Sequence, residues 1–187
     1  TYSFERDPTG KEFIAALAEA QGRGVQVRVL IDGVGSALGF GKISTELARA
    51  KIPYAIFLPA HFPQSTLWMN LRNHRKLMTI DGSLGFTGGM NITEACRLDR
   101  ATQHPVADIQ FEVHGPVVRD LQETFADDWF FAGKEVLEGA EWFPHVIPHN
   151  SHGVPARSVV DGPDQGRSTL PWILMAALAQ AKERVSI

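Results

Sequence analysis

The sequence lacks the features that mark several broad classes of protein. Its 187 residues include a single cysteine, Cys96, so no internal disulfide can form and the fold must rely on packing. It contains no apolar run of about 18 residues or more, and it does not open with a basic segment followed by an apolar one. We therefore expect neither a disulfide scaffold nor a membrane-spanning helix within these residues.

The chain also lacks a large excess of charge of either sign. Its 18 basic and 21 acidic residues give a formal net charge of -3 at pH 7. Binding to nucleic acid would favour a strongly basic surface, which this charge balance does not indicate. Any contact with phosphate must therefore come from a local pocket. With 44% hydrophobic and 21% charged residues, the composition suits one globular core and the start of a second.

Helix and strand patterns alternate along the chain. Apolar residues at helical spacing predict helices at 10–21, 43–52 and 116–132, and β-rich runs predict strands at 25–31, 54–57, 76–80, 84–87 and 107–115. Asp81-Gly82 is typical of a hairpin turn. In the helix predicted at 116–132, apolar residues recur every four positions and predict one buried face. They are Val117, Leu121, Phe125 and Trp129. The order of these elements indicates an α/β protein.

Two stretches that suggest ligand sites have simpler explanations. The glycine-rich loop 32–42 resembles a phosphate-binding loop, but a Walker loop requires glycine where Ser36 lies and a hydroxyl residue where Ile43 lies. A strand-to-helix turn is the favoured interpretation. Three histidines in 145–152 suggest a metal, yet Pro148 breaks the helix that would align them, so solvated linker histidines are favoured.

The densest chemical pattern is NHRKLMTIDGSLGFTGGMN, residues 73–91. On an extended strand, residues two apart project from the same face, so His74 and Lys76 would point together while Arg75 points away. An imidazole and an ammonium on an otherwise apolar strand favour an anionic ligand, and phosphate suits both groups. A surface hairpin with incidental charges is the alternative explanation.

The rest of the pattern supports phosphate chemistry. A neutral imidazole can attack phosphorus as a nucleophile, and an ammonium supplies three donors and a fixed charge. Gly88 and Gly89 remove side chains where a substrate would approach closely, and Asn91 adds an amide donor. The complete series, His74-x-Lys76-x4-Asp81-Gly82-x5-Gly88-Gly89-x-Asn91, is far more specific than His-x-Lys alone.

This series resembles the HKD motif of the phospholipase D superfamily, and RNHRKLMTIDG with FTGGMNI is most similar to bacterial cardiolipin synthases. The similarity extends to RGVQVRVLIDGVGS before the motif, and to GPVVRDLQETFADDWFFAGKE and VVDGPD after it. It implies a lobe with a mixed β-sheet flanked by helices, arranged as an α-β-α sandwich. It also implies catalysis through a phosphohistidine, with no metal and no cofactor.

The resemblance also assigns roles to residues. It makes His74 the nucleophile, and it implies that Asp108 matches an acidic residue that orients this histidine. Within the catalytic motif, Asp81 supports structure and local charge balance. The implied catalytic residues are thus His74, Lys76, Asp81 and Asp108, and the implied phosphate-binding residues are Lys76, Gly88, Gly89 and Asn91.

The sequence contains a single H-x-K pattern, and both of its ends read as interior segments of a longer protein. Protonation of the departing alkoxide requires an acid, for which a second histidine is the natural candidate. We therefore expect a lobe at 1–133, a connecting segment at 134–156, and the beginning of a second lobe at 157–187 that reads as strand, turn, helix and strand. The second motif would come from the same full-length chain or from a homodimer mate, and the isolated fragment would be inactive unless it dimerises.

The resemblance implies a phosphatidyltransferase or phospholipase D-type enzyme. Its substrate would be a phosphatidylglycerol-like phospholipid at a membrane surface, and its location the bacterial inner membrane. Apolar residues in 61–71 suit either a grip on acyl chains or core packing. A nuclease of the same superfamily is one alternative, against which the acidic balance argues. A catalytically silent half that keeps a phosphate-binding pocket is another.

Overall fold

The computed structural model describes residues 1–34, 42–59, 72–102, 104–133, 135–146, 153–161 and 169–186. The helices are α1 (Pro8–Gly22), α2 (Ile43–Arg49), α3 (Val117–Gly133) and α4 (Leu170–Gln180), with a 3-10 turn at Glu94–Cys96. The strands are β1 (Val29–Asp32), β2 (Tyr54–Phe57), β3 (Lys76–Ile80), β4 (Leu84–Gly88) and β5 (Gln110–His114). The predicted α/β class is confirmed. Most of the glycine-rich loop and the apolar stretch 61–71 lie outside the described residues.

The described strands form two sheets rather than one mixed sheet. β1 and β2 pair in parallel, with Val29 opposite Tyr54, and α2 lies in the crossover between them. β3, β4 and β5 form an antiparallel sheet in that order. Parallel strands need such a crossover connection, whereas antiparallel neighbours need only a short turn. The two kinds of pairing expected of a mixed sheet are therefore both present, but β1 and β3 do not pair with each other.

The turn between β3 and β4 is the one that the sequence predicted. Asp81 and Gly82 have φ angles of 50° and 59°, and the amide of Ser83 donates to the carbonyl of Ile80 at 3.1 Å. Two successive left-handed residues match the right-handed twist of a hairpin, which explains the preference for Asp-Gly. The turn fixes the register, in which Lys76 lies opposite Gly88.

Helices cover both faces of the parallel sheet. Ile31 of β1 belongs to a buried cluster against α1 and α2, formed by Phe4, Val27, Ile31, Ile43, Leu47 and Ile52. The preceding residue, Leu30, packs instead with Trp129 of α3 and with Leu137. Because successive strand residues point to opposite faces, β1 separates two apolar layers. This arrangement is the α-β-α layering that was expected.

Helix α3 also covers the antiparallel sheet. Leu121 and Trp129 are buried, as the spacing predicted, whereas Val117 and Phe125 are half-buried. The hydroxyl of Thr79 on β3 donates to the side chain of Gln122 on α3. One helix thus packs against both sheets and sets how they lie relative to each other.

The last described segment forms a helix without strands on either side. Helix α4 is apolar, but its side chains are exposed, and Trp172 is 75% accessible to solvent. Residues 157–161 and 181–186 contain no strand, because neither segment pairs with another strand among the described residues and an extended segment becomes a strand only through such pairing. No helix in the described residues is long and apolar enough to cross a bilayer.

Candidate active site

The opening residues of the chain connect the two sheets and place Tyr2 between them. Thr1 is hydrogen-bonded to β1, and Ser3 is hydrogen-bonded to the segment that follows β4. The bonds are Thr1 N to Leu30 O (2.9 Å), Asp32 N to Thr1 O (3.2 Å), Ser3 N to Asn91 Oδ1 (3.1 Å) and Ile92 N to Ser3 O (3.1 Å). The backbone on both sides of Tyr2 is therefore fixed.

His74 and Lys76 both reach the ring of Tyr2. The imidazole of His74 stacks on this ring, with 4.0 Å between ring centroids and 18° between ring planes. The Nζ atom of Lys76 lies 5.4 Å from the same centroid. His74 is exposed and Lys76 is half-buried, so the pair lies at the surface with its polar atoms within reach of a ligand.

Arg75, between them in sequence, binds on the other side. Its Nη1 lies 2.6 Å and 2.8 Å from the two carboxylate oxygens of Asp128 on α3. Asp128 also accepts a hydrogen bond from the side-chain amide of Asn73 at 2.7 Å. The alternation of an extended chain therefore sends Arg75 toward α3 and His74 and Lys76 toward Tyr2.

A buried carboxylate anchors the start of this segment. Asp32, at the end of β1, is 1% exposed and accepts backbone hydrogen bonds from Val34 at 2.9 Å and from Asn73 at 3.1 Å. A buried carboxylate is costly without such donors. The bond from Asn73 therefore ties the residue before His74 to the parallel sheet.

The ammonium of Lys76 lies in a mixed environment. Burial lowers the pKa of Lys76 below its ordinary value, and the negative charges of Asp108 and Asp32 partly offset that effect. Neither carboxylate forms an ion pair with Lys76 among the described residues. A partly desolvated cation without a direct counter-ion is suited to binding an anion.

The two glycines of the motif make room for Asp108 and its neighbour Ile109. A Cβ atom at Gly89 would collide with the carboxylate of Asp108, and one at Gly88 would collide with the carbonyl of Ile109. The amide of Gly89 donates to Ile109 O at 3.0 Å. These contacts give both glycines a packing role that the sequence pattern did not predict, and they engage the amide of Gly89 within the protein.

Asp108 is placed near Lys76 rather than against His74. Its carboxylate is exposed and accepts a hydrogen bond from the amide of Ile109 at 2.7 Å. Within the described part of the chain it forms no hydrogen bond with the imidazole of His74. The orienting role expected for Asp108 thus stays a prediction.

The side-chain amide of Asn91 lies in the segment that follows β4, next to the opening residues of the chain. Its Oδ1 accepts the backbone hydrogen bond from Ser3, and its Nδ2 has no hydrogen-bond partner among the described residues. The oxygen is thereby fixed, and two N–H donors remain available. This arrangement fits the expected contact with a phosphate oxygen.

Asp81 lies far from these groups. It occupies the hairpin turn at the opposite end of β3 and is exposed. Five residues of extended chain separate it from Lys76, which corresponds to roughly 17 Å. The structure does not bring Asp81 together with His74, and its position in the turn agrees with a structural role.

A large cavity lies on the side of Arg75 rather than on the side of His74 and Lys76. A space of about 620 Å³ opens between β1 and β3, and its lining includes Leu30, Leu77, Phe125 and Trp142 but neither His74 nor Lys76. Large apolar pockets are the usual candidates for binding sites. Here the space follows strand edges that lack a neighbour, so we assign the chemistry to the exposed groups around Tyr2 instead.

The described residues contain no group of three or more His, Cys, Asp or Glu side chains close enough to share a metal ion. Of the three histidines in 145–152, His145 is exposed, and the other two lie outside the described residues.

Sequence reasoning missed four residues that shape the site. Tyr2 lies in the segment TYSF, which reads as a strand but carries no pattern that indicates a ligand site. Asp32 ends a strand of the parallel sheet, where polar groups often converge, and this signal could have found it. Asn73 opens the motif stretch and Asp128 lies in a predicted helix, but neither has a spacing that indicates its partner, since their roles depend on contacts between distant segments.

The chain is similar in sequence to cardiolipin synthases over nearly its whole length. A sequence family described as "Cardiolipin synthase, PLD-like domain" matches residues 1–129. The chain is 32% identical over 183 residues to cardiolipin synthase A of Pseudomonas fluorescens (strain SBW25), covering 97% of this chain. It is 30% identical over 187 residues to a cardiolipin synthase of Geobacillus sp. (strain WCH70), covering all of this chain. It spans about 37% of the length of each relative. The chain belongs to the PLD-like domain family of cardiolipin synthases.

Proposed function

We propose that the protein is a phosphatidyltransferase or phospholipase D-type enzyme that transfers phospholipid phosphodiesters through a phosphohistidine. The observation that carries this proposal is the meeting of an exposed His74 and a half-buried Lys76 at one aromatic ring. Arg75 is engaged on the other side, so these two groups are the ones left for a ligand. The names of the relatives, cardiolipin synthases, supply the substrate class.

In the first step, a ring nitrogen of His74 attacks the phosphorus of the donor lipid. A P–N bond forms while the P–O bond to the head group breaks, and the departing oxygen takes a proton from an acid. Lys76 and the amide of Asn91 bind the non-bridging oxygens, where negative charge grows in the transition state. The products are a phosphatidylated histidine and a free head-group alcohol.

In the second step, a hydroxyl group attacks the phosphohistidine. A new P–O bond forms, the P–N bond breaks, and the acceptor hydroxyl gives its proton to the group that served as acid. A second phosphatidylglycerol as acceptor yields cardiolipin, whereas water yields hydrolysis. The competition between these acceptors decides between transfer and hydrolysis.

The remaining motif residues support this chemistry. Asp108 contributes a negative charge beside Lys76 and, once substrate or the second half is bound, orients His74. Gly88 and Gly89 allow Asp108 and Ile109 to approach closely, so that the carboxylate of Asp108 lies near the ammonium that binds phosphate. Asp81 fixes the hairpin that holds Lys76 opposite Gly88.

We assign the acid of the first step to a second half of the site, which carries its own HKD motif. This half belongs to the same full-length chain or to a homodimer mate, and its histidine protonates the leaving group. The division into a lobe at 1–133, a connecting segment and the start of another lobe belongs to the same proposal. The substrate places the protein at a membrane surface, in bacteria the inner membrane.

The test incubates the full-length protein with phosphatidylglycerol vesicles and resolves the products by mass spectrometry. We expect cardiolipin or phosphatidic acid from the wild type, and a loss of about a thousandfold or more in His74→Ala, which lacks the nucleophile. His104→Ala is the matched control, because His104 is exposed and lies outside the site. A chelator should leave the activity unchanged.

Three outcomes would contradict the proposal. Activity that survives in His74→Ala but disappears with chelator would exclude a phosphohistidine. Cleavage of an oligonucleotide in place of lipid would favour the nuclease alternative. Binding of phosphate without turnover of either substrate would favour the catalytically silent half.

A further inference from the structure

Tyr2 contacts both reactive side chains. We propose that Tyr2 is a positioning residue, which holds the imidazole of His74 and the ammonium of Lys76 in one geometry through its aromatic face. This inference rests on the proposed function, because it concerns how the reactive pair of that site is held.

The stack with Tyr2 restrains the imidazole without blocking its edge. With ring centroids 4.0 Å apart and planes 18° from parallel, the two rings lie face to face. Both nitrogens of an imidazole lie on the ring edge, so a flat stack fixes the ring plane and leaves them open to a phosphorus atom. No hydrogen bond holds the imidazole among the described residues, so this stack is the contact that orients it there.

The same ring holds the ammonium. The Nζ atom of Lys76 lies within the distance of about 6 Å at which a cation is attracted to an aromatic face. This attraction does not neutralise the positive charge, as a salt bridge with a carboxylate would. Tyr2 therefore keeps the ammonium in place while leaving its charge available to a phosphate oxygen.

Tyr2 is itself held firmly enough to act as a support. Its neighbours Thr1 and Ser3 are hydrogen-bonded to β1 and to the segment after β4, and its side chain is half-buried. A ring on a fixed backbone loses little further freedom when the two side chains pack on it. This anchoring separates a positioning role from a chance contact of a loosely held segment.

The test compares Tyr2→Phe, Tyr2→Leu and Phe13→Leu in the full-length protein, assayed with phosphatidylglycerol vesicles. We expect kcat to fall about tenfold in Tyr2→Leu with less than about a twofold change in KM, because orientation of bound reactants is lost while binding persists. Tyr2→Phe should retain most of the turnover, since it preserves the ring. Phe13, which packs edge-on against Phe4 at 6.3 Å, gives a matched loss of an aromatic contact that involves neither His74 nor Lys76.

A second measurement does not depend on activity. Histidine labelled at Cε1 gives one NMR signal per histidine, and the signal missing in His74→Ala identifies His74. The Tyr2 ring should shift the His74 proton signal upfield in the wild type and in Tyr2→Phe, and this shift should vanish in Tyr2→Leu. Thermal melting checks that each variant is folded.

The outcomes separate the two proposals. Wild-type kcat in Tyr2→Leu, an equal loss in Tyr2→Phe, or no upfield shift in the wild type would each overturn the positioning role. If Tyr2→Leu fails to fold, the upfield shift of His74 in the wild type and the turnover of Tyr2→Phe still test the positioning role. An inactive wild type that shows the upfield shift would overturn the proposed function while supporting the contact with Tyr2.

Discussion

The two sides of segment 73–76 differ in how their charges are satisfied. On the side of α3, Arg75 forms two short bonds with Asp128, which also accepts a bond from Asn73. On the opposite side, His74 and Lys76 pack on the ring of Tyr2 and make no ion pair among the described residues. We call these the anchored side and the open side.

This difference separates structural from chemical roles. A charge that is buried and fully paired stabilises one arrangement of the chain and is not free to bind a ligand. A cation that is partly desolvated and unpaired gains from an incoming anion. The alternation of an extended chain allows one short segment to serve both purposes, with the anchored side holding the open side in place.

The largest expected effect comes from the open side. Lys76→Met should reduce turnover of phosphatidylglycerol by about a hundredfold to a thousandfold, because it removes the cation that binds the developing negative charge. Thermal stability should change little, since the buried carboxylate of Asp32, whose charge acts on Lys76, keeps its backbone hydrogen bonds from Val34 and Asn73. Product analysis and thermal melting on the same preparation measure both. A large fall in melting temperature with unchanged turnover would reverse the assignment of the two sides.

A smaller effect on activity, but a larger one on stability, should come from the anchored side. Arg75→Met leaves Asp128, whose side chain is 12% exposed, without its cation, and we expect a loss of about 2 kcal/mol in the free energy of unfolding. Arg23→Met is the matched control, because Arg23 and Glu19 form an exposed pair at the C-terminal end of α1 and should contribute below about 0.5 kcal/mol. Equal effects of the two variants in denaturant titrations would show that the anchoring pair has no special role.

The smallest expected effect comes from the exposed ion pair of Arg97 and Asp99, which belongs to neither the anchored side nor the open side. The guanidinium of Arg97 holds the pKa of Asp99 at about 2, below its ordinary 3.8. Because the folded-state pKa is lowered, the contribution of Asp99 to stability is present above about pH 4 and is lost as the pH falls toward 2. Arg97→Met should return the pKa of Asp99 toward its ordinary value in an NMR titration, with little change in melting temperature at pH 7. An unchanged titration would show that another group lowers this pKa.

Local patterns in the sequence predicted much of the fold. The strand 54–57 and the Asp81-Gly82 turn match the structure, and the helices begin and end within a few residues of their predicted limits. Such features depend on residues within one element, through apolar spacing and the left-handed backbone that Asp-Gly tolerates. The strand predicted at 25–31 is shorter in the structure, where β1 begins at Val29, because pairing with β2 sets its length.

The candidate site was predicted in part, for the same physical reason. Period two along an extended chain is a local property, so the common direction of His74 and Lys76 could be inferred from their spacing. The packing of Gly89 against Asp108 could not, because it depends on how β5 approaches β4. Residues that come close only after folding leave no spacing in the sequence to recognise.

The sequence by itself determined the α/β alternation, the hairpin and the common direction of His74 and Lys76, the pair proposed to react, since each depends on the chemistry of neighbouring residues. Only the tertiary structure decided which charges are paired and which stay open. Asp128 comes to Arg75 from 53 positions along the chain, and Asn73 is tied to Asp32 from 41 positions away. Tyr2 reaches His74 because hydrogen bonds to two separate sheets fix the opening residues between them. The partners of a side chain are set by the way distant segments pack, and that packing is a property of the whole fold.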